Sequence, residues 1–234
     1  MNNHHHEHHE KSSGASEVQV NTTYNSGCVT ITIRDLHNQP VDLTETHEKK
    51  IHLIIVSADL ENFIHVHPIE NESGDYEVDV NLPEGRYLAF VDINPVGLNY
   101  TIEPNTITVG ESFHTAEINW ETLIESDRST KEFEGKKVTF QRPQLIAGKS
   151  ATLSFDLNNE TPLPYLGALG HVVVLDEHGK QFLHVHPISN DQTVFEANFP
   201  SAGFYKLWAE FNFSDSGVMH FPFAVKVFSK DTEQ

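Results

Sequence analysis

Six histidines stand in two matching sets. His52 is followed by His65 and His67 in Phe63-Ile64-His65-Val66-His67-Pro68, and His171 by His184 and His186 in Phe182-Leu183-His184-Val185-His186-Pro187. Residues two apart on a β-strand project from the same face. If the intervening polar turn, Asp176-Glu177-His178-Gly179 in the second set, closes a hairpin, the lone His comes over the His-x-His pair. Folding each hairpin about its centre places His171 opposite His184. Three imidazoles on one patch can meet at a metal ion with bonds of about 2.0–2.1 Å. Val172, Val174, Leu183 and Val185 then face a core. A register slip of one residue would turn His171 to the other side.

Both sets recur at an offset of 119 residues without a gap. Lys50–Val56 answers Leu169–Leu175, and Phe63–Pro68 answers Phe182–Pro187. Downstream, Leu82-Pro83-Glu84-Gly85-Arg86-Tyr87 answers Phe199-Pro200-Ser201-Ala202-Gly203-Phe204-Tyr205 with one residue inserted, and upstream Thr30–Leu36 answers Ala151–Leu157. Duplication alone accounts for two copies of a motif. It does not account for three histidines kept in both copies while most neighbouring positions differ.

A fourth ligand for the second set is His220, in Val218-Met219-His220-Phe221 near the start of the last strand. The matching place in the first copy, near Tyr100–Ile102, holds no His. His171, His184, His186 and His220 therefore form the expected principal site, and His52, His65 and His67 a second one. Water, His47 or His114 completes that second site, or it is vestigial. Apart from that role, His37, His47, His114 and His178 read as surface residues. Imidazoles without thiolates suit Cu(II) or Zn(II), and the affinity order puts copper first and zinc second. Met219 is adjacent to His220 and so faces the other way, as packing.

The elements that must position these groups are strands. Short runs rich in Val, Ile, Thr, Phe and Tyr alternate with Gly, Pro, Asn and Asp, from Val29–Ile33 to Phe221–Phe228. No long stretch has strong helical periodicity. The expected fold is all-β, a tandem duplication of an immunoglobulin-like (cupredoxin-like) sandwich. Repeat 1 covers 17–115, a connector 116–131 and repeat 2 132–234. Residues 1–16 carry His4, His5, His6, His8 and His9 and are too polar to bury a core. This segment reads as a purification tag or as a natural metal-scavenging tail.

Charge narrows the partners. Of the net −19, residues 1–120 contribute −14. A surface this acidic repels phosphate backbones and anionic headgroups, which argues against nucleic acid and membrane surfaces. No apolar run reaches the roughly 20 residues of a membrane helix. Cys28, the single cysteine, makes no disulfide and reads as a buried structural thiol in Cys28–Ile33.

In Pro164–His171, Phe182–Pro187, Phe199–Tyr205 and Val218–His220 the second half resembles bacterial exported immunoglobulin-like proteins of the YtkA-like and related kind; the first half is similar but degenerate. The resemblance implies a secreted or envelope-associated protein with its signal segment removed, handling copper or another heavy metal. The leading expectation is a non-enzymatic metal chaperone, buffer or resistance factor, its partner a metal ion and also another envelope protein. Two alternatives stand beside it. One is a copper-dependent redox enzyme, since Phe-x-His-x-His is similar to the copper-ligand string of superoxide dismutases, although no Cys pair or bridging-His loop accompanies it. The other is a tandem interaction module with incidental histidines.

Overall fold

The protein is described here from a computed structural model covering residues 15–111 and 117–230. Repeat 1 contains β1 (Val18–Asn25), β2 (Cys28–Asp35), β3 (Leu43–Thr44), β4 (Ile51–Ser57), β5 (Phe63–Val66), β6 (Ile69–Glu70), β7 (Tyr76–Asp79), β8 (Gly85–Pro95) and β9 (Asn105–Val109). One sheet runs β1-β2-β7-β6 and the other β3-β8-β4-β5, with β9 also on β8. On β2, Val29, Ile31 and Ile33 are buried in the core between the sheets. Cys28 has the opposite parity and is only half-buried, so it is not the core thiol expected from its sequence. Its neighbours alternate, and the alternation assigns it to the outer face. The β1–β2 hairpin closes through Ser26 and Gly27, both at positive φ (50° and 88°). That is the two-residue turn whose twist matches the strands.

Repeat 2 contains β10 (Thr130–Phe133), β11 (Lys136–Gln141), β12 (Leu145–Ile146), β13 (Ser150–Asp156), β14 (His171–Asp176), β15 (Phe182–Pro187), β16 (Val194–Asn198), β17 (Gly203–Phe213) and β18 (Gly217–Phe228). Here β15 pairs with both β14 and β16, which joins the strands into one path, β10-β11-β13-β16-β15-β14-β17-β18-β12. Its core is aromatic, with Phe140, Phe155, Phe195, Phe211, Phe221 and Phe223 all buried. As expected, Val172, Val174 and Val185 lie in this core and Leu183 packs against it. Both repeats carry the tyrosine corner of immunoglobulin-like sandwiches. The Tyr87 hydroxyl donates to the Pro83 carbonyl at 2.8 Å, and Tyr205 to that of Ser201 at 2.9 Å. The chain is an all-β tandem duplication. Among the described residues, no helix is long and apolar enough to cross a membrane.

The two sandwiches dock on each other through their histidine-bearing hairpins. Every residue of β4 and of β14 is buried, because each strand has one face in its own core and the other against its counterpart. Ile54 and Val56 meet Val173 and Leu175 in a third apolar cluster with Phe63, Phe90, Trp208 and Ala224. The contacts are reciprocal. Phe63 stacks on Trp208 at 4.9 Å, and Phe182, its counterpart, stacks on Phe90 at 5.4 Å. The repeats are thus related by an approximate two-fold, and their interface is built like that of a symmetric dimer. Lys206 adds an ion pair to Glu61 at 3.1 Å.

The connector folds over this interface as α1 (Trp120–Ser126), a helix where the sequence shows no strong helical periodicity. Asn119 caps it by accepting from the Thr122 backbone N–H at 3.0 Å. Trp120 is buried and stacks on Phe204 at 5.9 Å. Seven residues are too few to be stable alone; apolar anchoring holds the turn. Truncating a large aromatic in the docked interface should cost stability. Trp208→Ala should destabilise the protein by about 3–5 kcal/mol, read as a lower urea midpoint. A change below about 1 kcal/mol would show that the interface is loosely packed.

Candidate metal centre

The β4–β5 hairpin places His52, His65 and His67 on the face turned toward repeat 2. Ile51, Leu53 and Ile55 occupy the repeat 1 core, so His52 shares the outward parity of Ile54 and Val56. The register pairs Ile54 with His65 and Leu53 with Val66. The second hairpin is the same, with Val173 opposite His184 and Val172 opposite Val185. His184 is therefore not opposite His171 as expected. The hairpin folds about a centre one residue later, since Leu175 pairs with Phe182 beyond the turn. The displacement is two residues and preserves the facing of every side chain.

A tight turn before β4 fixes the His52 ring. Thr46 and Lys49 form a bridge around His47 and Glu48, both at positive φ (51° and 63°). The turn aims the Thr46 carbonyl at His52, whose Nε2 lies 2.8 Å away. Repeat 2 repeats the device. Tyr165 and Ala168 bridge around Leu166 and Gly167 (φ 51° and 79°), and the Tyr165 carbonyl lies 2.9 Å from His171 Nε2. A carbonyl only accepts, so Nε2 of each histidine carries the proton and Nδ1 the lone pair.

The same reasoning applied to His65 exposes a conflict. Its Nδ1 lies 2.6 Å from Glu210 Oε2, with the two side chains 3% and 4% exposed. With an ionised carboxylate as acceptor, His65 Nδ1 is the donor and Nε2 holds a lone pair. That Nε2 lies 3.1 Å from His52 Nδ1. With both rings neutral and Glu210 ionised, two lone pairs would face each other across a hydrogen-bond distance, a contact that a bound cation would relieve. Two nitrogens bound to one metal at about 2.0–2.1 Å are about 2.9–3.4 Å apart for bond angles of 90–110°, and 3.1 Å lies within that span. A proton on His65 would also serve, giving an imidazolium between Glu210 and His52.

His67 completes the cluster. Its ring centroid is 4.9 Å from that of His52 and 4.8 Å from that of His65. One ring nitrogen from each of the three lies within 4.8 Å of the others. Its Nε2 is buried and makes no hydrogen bond. Burial, reinforced by the neighbouring His65 and His52, pushes the His67 imidazole down to about 3, so it is neutral at ordinary pH. A neutral His67 therefore brings one ring-nitrogen lone pair beside the two just described.

Repeat 2 walls this cluster. His171 is 2% exposed, and its ring lies 5.5 Å from Tyr165, whose own ring is 6.4 Å from His67. His47, expected at the surface, is half-buried edge-on between His52 at 6.1 Å and His171 at 5.3 Å. Of the expected principal site, the side chains of His184 and His186 lie outside what is described, as does His114. His220, on β18, sits opposite Glu210 of β17 and 5.3 Å from the Phe63 ring. Desolvation holds its imidazole below the ordinary value, and Glu210 opposes the shift. Among the described residues, the group close enough to share an ion is His52, His65 and His67. Met219 packs against the repeat 2 core, while His37 and His178 are exposed. Glu210 went unrecognised in the sequence. Its one signal is a lone charge in the apolar run Leu207–Phe213.

Neutral His67 makes folding pH-dependent. An unfolded histidine takes a proton near 6.5 and folded His67 only near 3. The stability tied to its neutrality is therefore complete above pH 6.5 and is lost as pH falls toward 3. In chelator, the urea midpoint should drop between pH 7.5 and pH 5, and His67→Gln should drop less. Equal drops would show that His67 accepts its proton in the folded state.

No curated protein matches the chain. Among solved structures it is similar to a two-domain fibronectin type-III segment of chicken tenascin, at 13% identity and TM-score 0.26, covering 90% of this chain and 98% of that one. It is also similar to the FN1-FN3 domains of chicken CNTN1, at 13% identity and TM-score 0.25, covering 90% and 66%. The adhesin InvE of Yersinia pseudotuberculosis matches at 14% identity and TM-score 0.23, covering 89% and 58%. Superpositions this loose say nothing of ligand or activity. The family model described as a domain of unknown function, DUF8832, matches twice, over residues 15–111 and 131–229. Both matches coincide with the two sandwiches that meet at the histidine cluster, and the chain belongs to that family as a tandem pair of its domains.

Proposed function

We propose that this protein binds a metal ion, copper first and zinc second, through His52, His65 and His67. The observation that carries the reading is the 3.1 Å approach of His52 Nδ1 to His65 Nε2, two nitrogens whose other partners leave both with lone pairs. His67 supplies a third neutral donor and would be drawn inward on binding. An all-imidazole set suits Cu(II) or Zn(II). Glu210 leaves the centre with a carboxylate that offsets part of the ion's charge. The role we assign is that of an exported chaperone, buffer or resistance factor rather than an enzyme, in keeping with the family resemblance of its second half. His171, His184, His186 and His220 remain our candidates for a further site in repeat 2.

A second reading rests on the same network. With a proton on His65, its Nε2–H donates to His52 Nδ1 and Glu210 neutralises the charge. The cluster would then be mortar between two sandwiches of an interaction module. Titration with Cu(II) and with Zn(II) at pH 7.5 separates the readings, using the full chain with His4, His5, His6, His8 and His9 changed to serine. Metal function predicts one ion bound at micromolar affinity or tighter, weakened at least tenfold by His65→Ala with His67→Ala. Because only neutral imidazole ligates, binding should also weaken below about pH 6. Absence of micromolar binding of either ion would leave the structural reading standing.

A further inference from the structure

Glu210 belongs to β17 of repeat 2, yet its carboxylate holds a histidine of repeat 1, 145 positions away in sequence. On β17, Ala209 and Phe211 point into the repeat 2 core, which turns Glu210 out toward the other sandwich. The hydrogen bond at 2.6 Å is closed off from water on both sides. The same register position exists in repeat 1, where Asp92 lies opposite His52 as Glu210 lies opposite His171. Both repeats thus keep a carboxylate on the strand next to the one bearing the lone histidine.

We infer that a metal ion at this cluster is a clasp between the repeats, with Glu210 as its positioning residue; this rests on the metal-binding reading above. A carboxylate that takes the second ring proton of a ligating histidine fixes its tautomer and ring plane and makes its other nitrogen a better donor. Here that carboxylate is in place only while the sandwiches are docked. Metal affinity then depends on docking, and by linkage docking is strengthened by the metal. The centre reports on the relative placement of the two domains as well as on the ion.

The test uses Zn(II) alone with the full chain, its five tail histidines changed to serine as above. Glu210→Gln keeps the side chain's size but removes its charge, and should weaken zinc binding by about 10–100-fold. A merely structural Glu210 would lower the thermal midpoint of the metal-free protein and leave zinc affinity within twofold, which would overturn the clasp. Hydrogen exchange of the unsubstituted cluster gives an independent reading that does not need the variant to fold. Zinc should slow exchange in both hairpins, β4–β5 and β14–β15, whereas protection confined to β4–β5 would also overturn it. If the parent chain takes up no zinc, the clasp fails, and if it takes up neither zinc nor, in the titration above, copper, the metal reading fails with it. Zinc uptake unaffected by Glu210→Gln discards the clasp alone.

Discussion

Burial of both faces of β4 and β14 is the constraint on which the rest depends. A sandwich of about a hundred residues usually presents the outer face of each sheet to water, with polar residues alternating along the strand. These two strands cannot, since Ile54, Val56, Val173 and Leu175 would each expose a large apolar side chain. Docking removes that surface from solvent at once and, through the stacked pairs Phe63–Trp208 and Phe90–Phe182, fixes the angle between the sandwiches. Everything polar on those faces then becomes buried too. His52, His171 and Glu210 are each at most 3% exposed, and must find partners within the interface or pay for their desolvation.

That necessity shapes the chemistry. The turn carbonyls of Thr46 and Tyr165 each accept one ring proton, and Glu210 accepts a third. Once those hydrogen bonds are assigned, neutral His52, His65 and His171 each keep one ring nitrogen with a lone pair. In water such nitrogens would be hydrated. In this apolar seam they are held close together, and burial keeps His67 neutral. Desolvation, usually a penalty for polar groups, here keeps a proton off His67.

Much of this was legible in the sequence, for identifiable reasons. Period-two alternation in Cys28–Ile33 and the repeat between Lys50–Pro68 and Leu169–Pro187 gave the strands, the duplication and the shared facing of His52, His65 and His67. Facing survives an error of two in register, which is why the misplaced pairing of His171 with His184 left it intact. The interface was less visible. An unbroken run such as Leu53–Val56 signals a strand buried on both sides, but it does not say against what. Glu210 and His47 acquired their positions only through contact between segments more than a hundred residues apart. The helix at Trp120–Ser126 exists because Trp120 has an apolar seam to fill, which no local periodicity encodes.

The turn before each lone histidine shows what it means for this arrangement to reside in one chain. At matching places the backbone takes the same left-handed step, yet one copy has His47-Glu48 and the other Leu166-Gly167. In a dimer of identical subunits any substitution near the axis is made twice, and whatever gathers there must come in pairs. Joining the halves covalently releases that restriction. One side of the seam can add a further imidazole, His47, where the other carries an aliphatic Leu166, so the two halves need not stay equivalent about the axis.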